Sequence, residues 1–249
     1  MTDLPSVGLP PAQAARLAAI ELATRFTLDA RGAILTESPP DLSPGPLLHV
    51  AAAEPRVIAF GHSLSEDIQG QLAGILAQTV DPVLQVAECL EAMSALGSVI
   101  LSEGLSFLLL PQSPAPCPAN LVRWGTPEGS ALEARFAAAG MPASLADQGF
   151  RSVADLWPPW CAAIVEGEVA SLAFSSRLTP SGAELGLITL PGYRGNGLAG
   201  AATAGWSALP ALQGRTLFYS TARSNLASQR VAAKLRLPFI CSTWEIARA

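Results

Sequence analysis

The sequence predicts an α+β fold, and three observations carry that expectation. Short apolar runs bounded by turn residues recur along the chain, helical stripes separate them, and four prolines fall within eight residues at 111–118. From Trp160 onward the order reads strand, strand, strand, helix, strand, helix, strand. The expected organisation is an N-terminal α+β domain over 1–110, a proline-rich linker over 111–118 and a second domain over 119–249.

Taken in order, residues 10–29 read as a helix, opened by Pro10 and Pro11 and carrying a stripe through Ala14, Leu17, Ala18, Ile20, Glu21, Leu22 and Arg25. The prolines over 38–46 make a loop. Runs at 47–51 and 56–60, parted by Glu54-Pro55, read as paired strands. Ser63 or Ser65 caps a helix to about residue 77, with Glu66 and Asp67 in its first turn, and Pro82 opens another to about 96, where Gly97 stops it. Two strands, 99–101 and 105–110, are expected around Glu103-Gly104.

After the linker, 121–124 reads as a strand and 128–139 as a helix closed by Gly140; 143–159 carries no clear pattern. Runs at 161–165 and 169–175 around Glu166-Gly167 read as a hairpin, and Pro180-Ser181-Gly182 leads into a strand at 184–190. A small-residue helix from 198 to about 209, a strand at 215–220, a helix at 226–235 and a strand region at 238–247 complete the chain.

Half the residues are hydrophobic and 14% are charged, which supplies a core without staples. Fifteen basic against twenty acidic residues give a net charge of −5, and with no basic run a nucleic-acid partner is not expected. Cys89, Cys117, Cys161 and Cys241 form no Cys-x-x-Cys pair, and His49 and His62 lie far from the last two, so neither a metal site nor a disulfide framework is expected. Cys161 and Cys241 read as buried, inert thiols, and Trp157, Trp160 and Trp206 as core. The stretch from Met1 to Leu17 lacks the pattern of a secretory leader and no apolar run reaches membrane-spanning length; a cytoplasmic location without membrane attachment is the expectation.

The most informative stretch is 184–199. An apolar strand is stopped by Pro191, and Arg194-Gly195-Asn196-Gly197 turns the chain into the helix at 198. Free backbone N–H groups and the positive helix end then converge on one point, where an anion such as a pyrophosphate would sit. A glycine turn alone is equally compatible with an ordinary strand-to-helix connection.

Arg194, Gly197 and Ala199 fit the Arg/Gln-x-x-Gly-x-Gly/Ala signature, and the sequence over about 119–249 thereby resembles the GNAT acyltransferase superfamily. The resemblance implies a mixed, mostly antiparallel central sheet flanked by helices, with the N-terminal part as an extension. It also implies acyl-CoA, most commonly acetyl-CoA, as co-substrate. It assigns the N–H groups of Gly195, Asn196, Gly197, Leu198, Ala199 and Gly200 to the pyrophosphate, and the strand edge at Leu187, Ile188 and Thr189 to the pantetheine arm. Asn225 and Ser228, at i and i+3 on one helix face, match the family's second site beside the thioester; read by themselves, Ser224 or Asn225 are helix caps.

For the chemistry, the resemblance puts a base at Glu184, which as plain sequence is equally a strand-end residue, and an oxyanion donor in the backbone N–H at about Ile188. The tyrosine that many relatives carry seven residues after the helix asparagine is replaced by Ala232. Tyr219, Tyr193 and Ser228 are the remaining hydroxyls, with Tyr219 taken as the catalytic candidate. Arg236 stands where relatives have a glycine cap. His62 reads as a cap or surface group. The implied function is N-acetylation of a small-molecule or peptide amine by direct attack; the alternative from another class is a non-catalytic acyl-CoA-binding module. A nucleotide-binding protein with a Rossmann-type turn is a third reading, weaker because the glycine turn follows a hairpin.

Overall fold

The computed structural model describes residues 9–79, 81–113 and 117–249. The reading of residues 1–8 and of 114–116 within the linker lies outside the described residues. The first helix, α1 (Pro11–Arg25), starts with proline at its first position and buries Ala14, Ala15, Leu17, Ala18, Glu21 and Leu22. It is shorter than the sequence suggested, because Phe26 turns extended and opens a small hairpin, β1 (Phe26–Leu28) with β2 (Ile34–Glu37). Asp29 builds the turn, its carboxylate accepting from Arg31 N–H at 2.8 Å and Ala33 N–H at 2.9 Å.

The predicted pair β3 (Leu48–Ala51) and β4 (Val57–Phe60) follows. Helices α2 (Glu66–Gln78) and α3 (Pro82–Ala92) come next, capped by Ser65 and Asp81. One strand, β5 (Val99–Leu109), replaces the two expected around Glu103-Gly104. The glycine does not interrupt it: a Cβ at Gly104 would lie 2.6 Å from Thr243 Oγ1, so glycine is what lets the neighbouring strand come close.

The remainder comprises β6 (Asn120–Arg123), α4 (Pro127–Ala139), α5 (Ala143–Ala146), β7 (Trp160–Val165), β8 (Glu168–Leu178), β9 (Gly182–Thr189), α6 (Leu198–Ser207), β10 (Thr216–Ala222), α7 (Leu226–Lys234) and β11 (Phe239–Arg248). The unassigned 143–159 folds into α5 and a 3-10 turn, Val153–Leu156, whose start is fixed by a reciprocal Ser152–Asp155 cap.

Nine strands form one sheet in the order β4-β3-β11-β5-β10-β9-β8-β7-β6. Every neighbouring pair is antiparallel except β9 and β10, so the sheet is mixed and mostly antiparallel, as expected. The expected boundary at 111–118 does not divide this sheet. β5, from before the linker, lies between β10 and β11, pairing with β11 over 99–107 and with β10 over 104–109. Without it, two long inner edges would be left unpaired. The linker's start is also tied down: Gln112 N–H donates to Ser207 Oγ at 3.2 Å and its side chain to the Leu235 carbonyl at 3.0 Å.

Helices α2 and α3 cover one face at the β3–β11 end, and α6 and α7 cover the same face further along. The opposite face is covered by α1 at the centre and by α4 and α5 toward β6. Helix α6 comes close to the strands at its small buried residues Ala201, Ala202, Ala204 and Gly205; a Cβ at Gly205 would meet Cys161 Sγ at 2.5 Å. Trp160 and Trp206 are core, as expected. Cys161 and Cys241 are buried too, and burial pushes each thiol up to about 12, so neither is a thiolate at neutral pH. Among the described residues no helix is long and apolar enough to cross a membrane.

Helix α7 ends in a Schellman turn, Leu237 N–H to Ala232 O and Arg236 N–H to Ala233 O, both 3.0 Å. Arg236 sits at φ +52°, the left-handed conformation that glycine adopts freely. Arg236→Gly is therefore expected to raise stability by about 1 kcal/mol; a melting temperature unchanged or lowered would contradict this.

Candidate functional site

The sheet forks beside its parallel pair. β9 and β10 bond through three register pairs, Gly182, Ala183 and Glu184 against Thr216, Leu217 and Phe218. Past that point β8 keeps hold of β9 as far as Thr189, while β5 keeps hold of β10 as far as Ala222. The two strands therefore part, and a wedge opens between them with backbone on its walls.

Strand alternation decides which groups face the wedge. Leu190 N–H donates to Ala170 O at 3.0 Å, and the Ile188 carbonyl accepts from Ser171 Oγ at 2.7 Å, both on the β8 side. The backbone of Leu187 and Thr189 thus turns toward the wedge. Ile188 N–H, the expected donor, lies instead in the ladder with β8, and Leu187 N–H faces the wedge.

At the open end of β9 a 3-10 turn, Pro191–Tyr193, leads to Gly195 at φ +85° and Gly197 at φ +77°. Gly197 is the α6 N-cap and supplies no side chain to its amides. Ala201 N–H is the first to bond back, to Gly197 O at 3.1 Å, so helix geometry leaves Leu198, Ala199 and Gly200 N–H without intrahelical partners. A Cβ built at Gly195 or Gly197 would meet nothing within 4 Å. Arg194 is exposed and folds back, its Nε donating to Thr189 O at 3.2 Å, and the Asn196 side chain donates to Tyr193 O at 3.4 Å. Leu198 is buried and anchors the helix start in the core.

Across the wedge, the Asn225 side chain accepts from Ser228 N–H at 3.1 Å. It is a helix cap, one of the two roles the sequence allowed. Tyr219 is 2% exposed, and its hydroxyl lies 2.8 Å from Ser228 Oγ. Burial raises its pKa more than the Ser228 hydrogen bond lowers it, so the phenol stays protonated at neutral pH. Tyr219 and Ser228 are thus brought together, while Ala232 is on the buried side of α7. His62 is exposed at the start of the α2 region.

The other face of the fork holds a polar cluster that the sequence did not disclose. Arg25, at the end of α1, lies 2.6 Å from Glu245 and 3.9 Å from Glu184, with its guanidinium 4.9 Å above the Phe26 ring. Burial opposes the Arg25 charge, yet Glu245 and Glu184 drive its pKa upward. Burial also opposes ionisation of Glu245, but Arg25 and His49 overcome it and hold that carboxyl at about 2. His49 Nδ1 lies 2.8 Å from the Glu245 carboxylate, which can only accept, so Nδ1 carries the proton. Burial depresses His49 more than Glu245 raises it, and the contact at neutral pH is a hydrogen bond rather than an ion pair. Nearby, Arg177 grips Glu37 at 2.7 Å and Asp41 at 2.9 Å.

Glu21 completes the cluster. It is 3% exposed and accepts from Ser106 on β5 and, at 2.7 Å, from Ser220 on β10. Burial outweighs those hydrogen bonds and Arg25, and lifts its pKa to about 6. The available sequence signal was a carboxylate on the apolar stripe of the first helix. Its partners come from strands 85 and 199 residues away, which no local pattern identifies.

No family model matches this sequence, and no curated protein matches it. Among solved structures, the chain is similar to a GCN5-related N-acetyltransferase-like protein from Streptococcus suis, at 16% identity and TM-score 0.47 over 95% of this chain and 100% of that one. It is also similar to a GNAT-family acetyltransferase from Colwellia psychrerythraea, at 16% identity and TM-score 0.44 over 96% and 98%. A third is a GCN5-related N-acetyltransferase from Sphaerobacter thermophilus, at 12% identity and TM-score 0.41 over 96% and 93%.

Proposed function

We propose that this protein is a cytoplasmic acyl-CoA-dependent N-acyltransferase, moving acetyl from acetyl-CoA to a primary amine of a small molecule or peptide by direct attack in a ternary complex. One observation carries the reading: the β9–β10 fork opens next to a glycine-lined helix start whose first N–H groups have no partner among the described residues. The fit to acyl-CoA can be stated group by group. Gly195 and Gly197 leave open space where a diphosphate would meet the N–H groups of Leu198, Ala199 and Gly200. The wedge-facing backbone of Leu187 and Thr189 would pair with pantetheine amides as a strand edge pairs with a peptide. Bound there, acyl-CoA supplies an activated thioester.

The chain's own residues do the rest. Leu187 N–H is aimed to polarise the thioester carbonyl. Glu184, at the vertex of the fork opposite Phe218 and beside Arg25, adds negative charge that would draw an ammonium toward the opening. Asn225 holds the start of α7, and with it Ser228, against the wedge.

Calorimetry with acetyl-CoA and thiol release with spermidine, tyramine and a free-N-terminus tetrapeptide test the reading. Micromolar binding with amine-dependent CoA release is the expected result, and absence of binding would sink it. The second reading, a non-catalytic acyl-CoA-binding module, is favoured by the enclosure of the Tyr219 hydroxyl against Ser228. Tight binding with background release across the amines would select it.

A further inference from the structure

We propose that Ser220 and Glu21 form a proton relay that takes the proton from the acceptor amine, Ser220 touching the substrate and Glu21 receiving the proton. The proposal rests on the acyltransferase reading and extends it to two residues on opposite sides of the proline-rich segment. Phe218 is the last β10 residue paired with β9, and Ser220 is the next residue on the same face of β10. It therefore stands at the first unpaired position of the wedge on the α1 side. Its hydroxyl donates to Glu21 Oε1 at 2.7 Å.

Glu21 itself cannot meet a substrate. It is 3% exposed, and the serine on its other oxygen, Ser106, is 1% exposed. Ser220 is half-buried, so it links the sealed carboxylate to the wedge. The charged and titratable groups around Glu21 are Arg25 on its own helix, Glu184 on β9 and the Cys241 thiol on β11, with Glu245 and His49 beyond Arg25. Glu184 and Glu245 share Arg25, which leaves Glu21 with two neutral hydroxyl donors and a raised affinity for a proton. A carboxylate of pKa about 6 is ionised at neutral pH yet is a stronger base than an ordinary glutamate.

The step balances. An ammonium N–H gives its proton to Ser220 Oγ as the Ser220 O–H proton passes to Glu21 Oε1. The products are a neutral amine, an intact serine and a neutral Glu21. After product leaves, the proton returns through Ser220 to water.

The test compares wild type with Ser220→Ala, Ser220→Thr and Glu21→Gln, using acetyl-CoA with spermidine, tyramine and the tetrapeptide. Ser220→Ala and Glu21→Gln are each expected to lower kcat/KM by about 10²-fold, within the range for general-base catalysis, with acetyl-CoA affinity held. The double variant should lose no more than either single one, and Ser220→Thr should restore the rate. A readout independent of turnover is the ¹³C-carboxyl titration of Glu21, which should move above 6 in Ser220→Ala as a hydrogen bond to the charged form is lost. If Ser220→Ala keeps the wild-type rate, or the Glu21 titration does not move, the relay is wrong and the acyltransferase reading stands. If wild type itself binds no acetyl-CoA or releases none of its CoA to any amine, the reading fails and the relay with it. Should Glu21→Gln not fold, the two Ser220 variants decide alone.

Discussion

Arg25→Ala is expected to lower the unfolding free energy at pH 7 by about 3–5 kcal/mol, as measured by urea denaturation. The guanidinium is the positive group shared by Glu184 and Glu245, and it also stacks on Phe26. Removing it leaves two carboxylates at the buried centre of the sheet, with a neutral His49 as the remaining partner of Glu245. A loss below about 1 kcal/mol would mean that water reaches the cluster and screens it. The same cluster fixes the sign of the pH response. Glu245 is held at about 2 against an ordinary 4.5, so its contribution of about 3 kcal/mol is complete above 4.5 and is lost as pH falls toward 2. Glu21 works the other way: raised to about 6, it favours the fold below 4.5 and withdraws about 2 kcal/mol as pH rises through 6. Arg25→Ala should therefore remove much of the acid-side slope and move the slope near 6 upward, because Arg25 lowers the Glu21 pKa.

Gly197→Trp is expected to weaken acetyl-CoA binding by at least about 10²-fold, since losing one or two charge-assisted hydrogen bonds costs roughly 3 kcal/mol or more. A side chain at this position projects into space where a Cβ meets no atom within 4 Å, so the fold tolerates its bulk while the cradle does not. The backbone is at φ +77°, which by itself costs about 1 kcal/mol for any non-glycine residue. Gly197→Ala carries that strain without the bulk and is the control: it should lose stability but keep most of its affinity. Equal affinity of Gly197→Trp and wild type in calorimetry would remove the glycine turn from the binding site.

The strands and helices of the C-terminal part were legible because each is announced locally. Gly182 opens β9, Pro191 stops it, Gly195 and Gly197 turn the chain at positive φ, and Asn225 caps α7. The same local grammar misread three places. Glu103-Gly104 resembles a turn but lies inside β5, where close packing against Thr243 gives the glycine a different purpose. Helix α1 was drawn too long because Phe26 and Thr27 are drawn into a hairpin whose second strand begins at Ile34. The proline block was read as a domain boundary, although the strand before it is central to the sheet that follows.

Of the candidate site, the sequence by itself determined the glycine turn, the strand leading to it and the two hydroxyl-bearing positions Tyr219 and Ser228, since all of these depend on residue type and short spacing. Tertiary structure alone decided that β9 and β10 part after Glu184 and Phe218. It also decided that Leu187 rather than Ile188 faces the opening, and that Glu21, Arg25, Glu184 and Glu245 meet on one face. The reason is that strand pairing and the burial of charge depend on which distant segments become neighbours. A carboxylate's basicity is then set by how much water and which partners those segments leave around it.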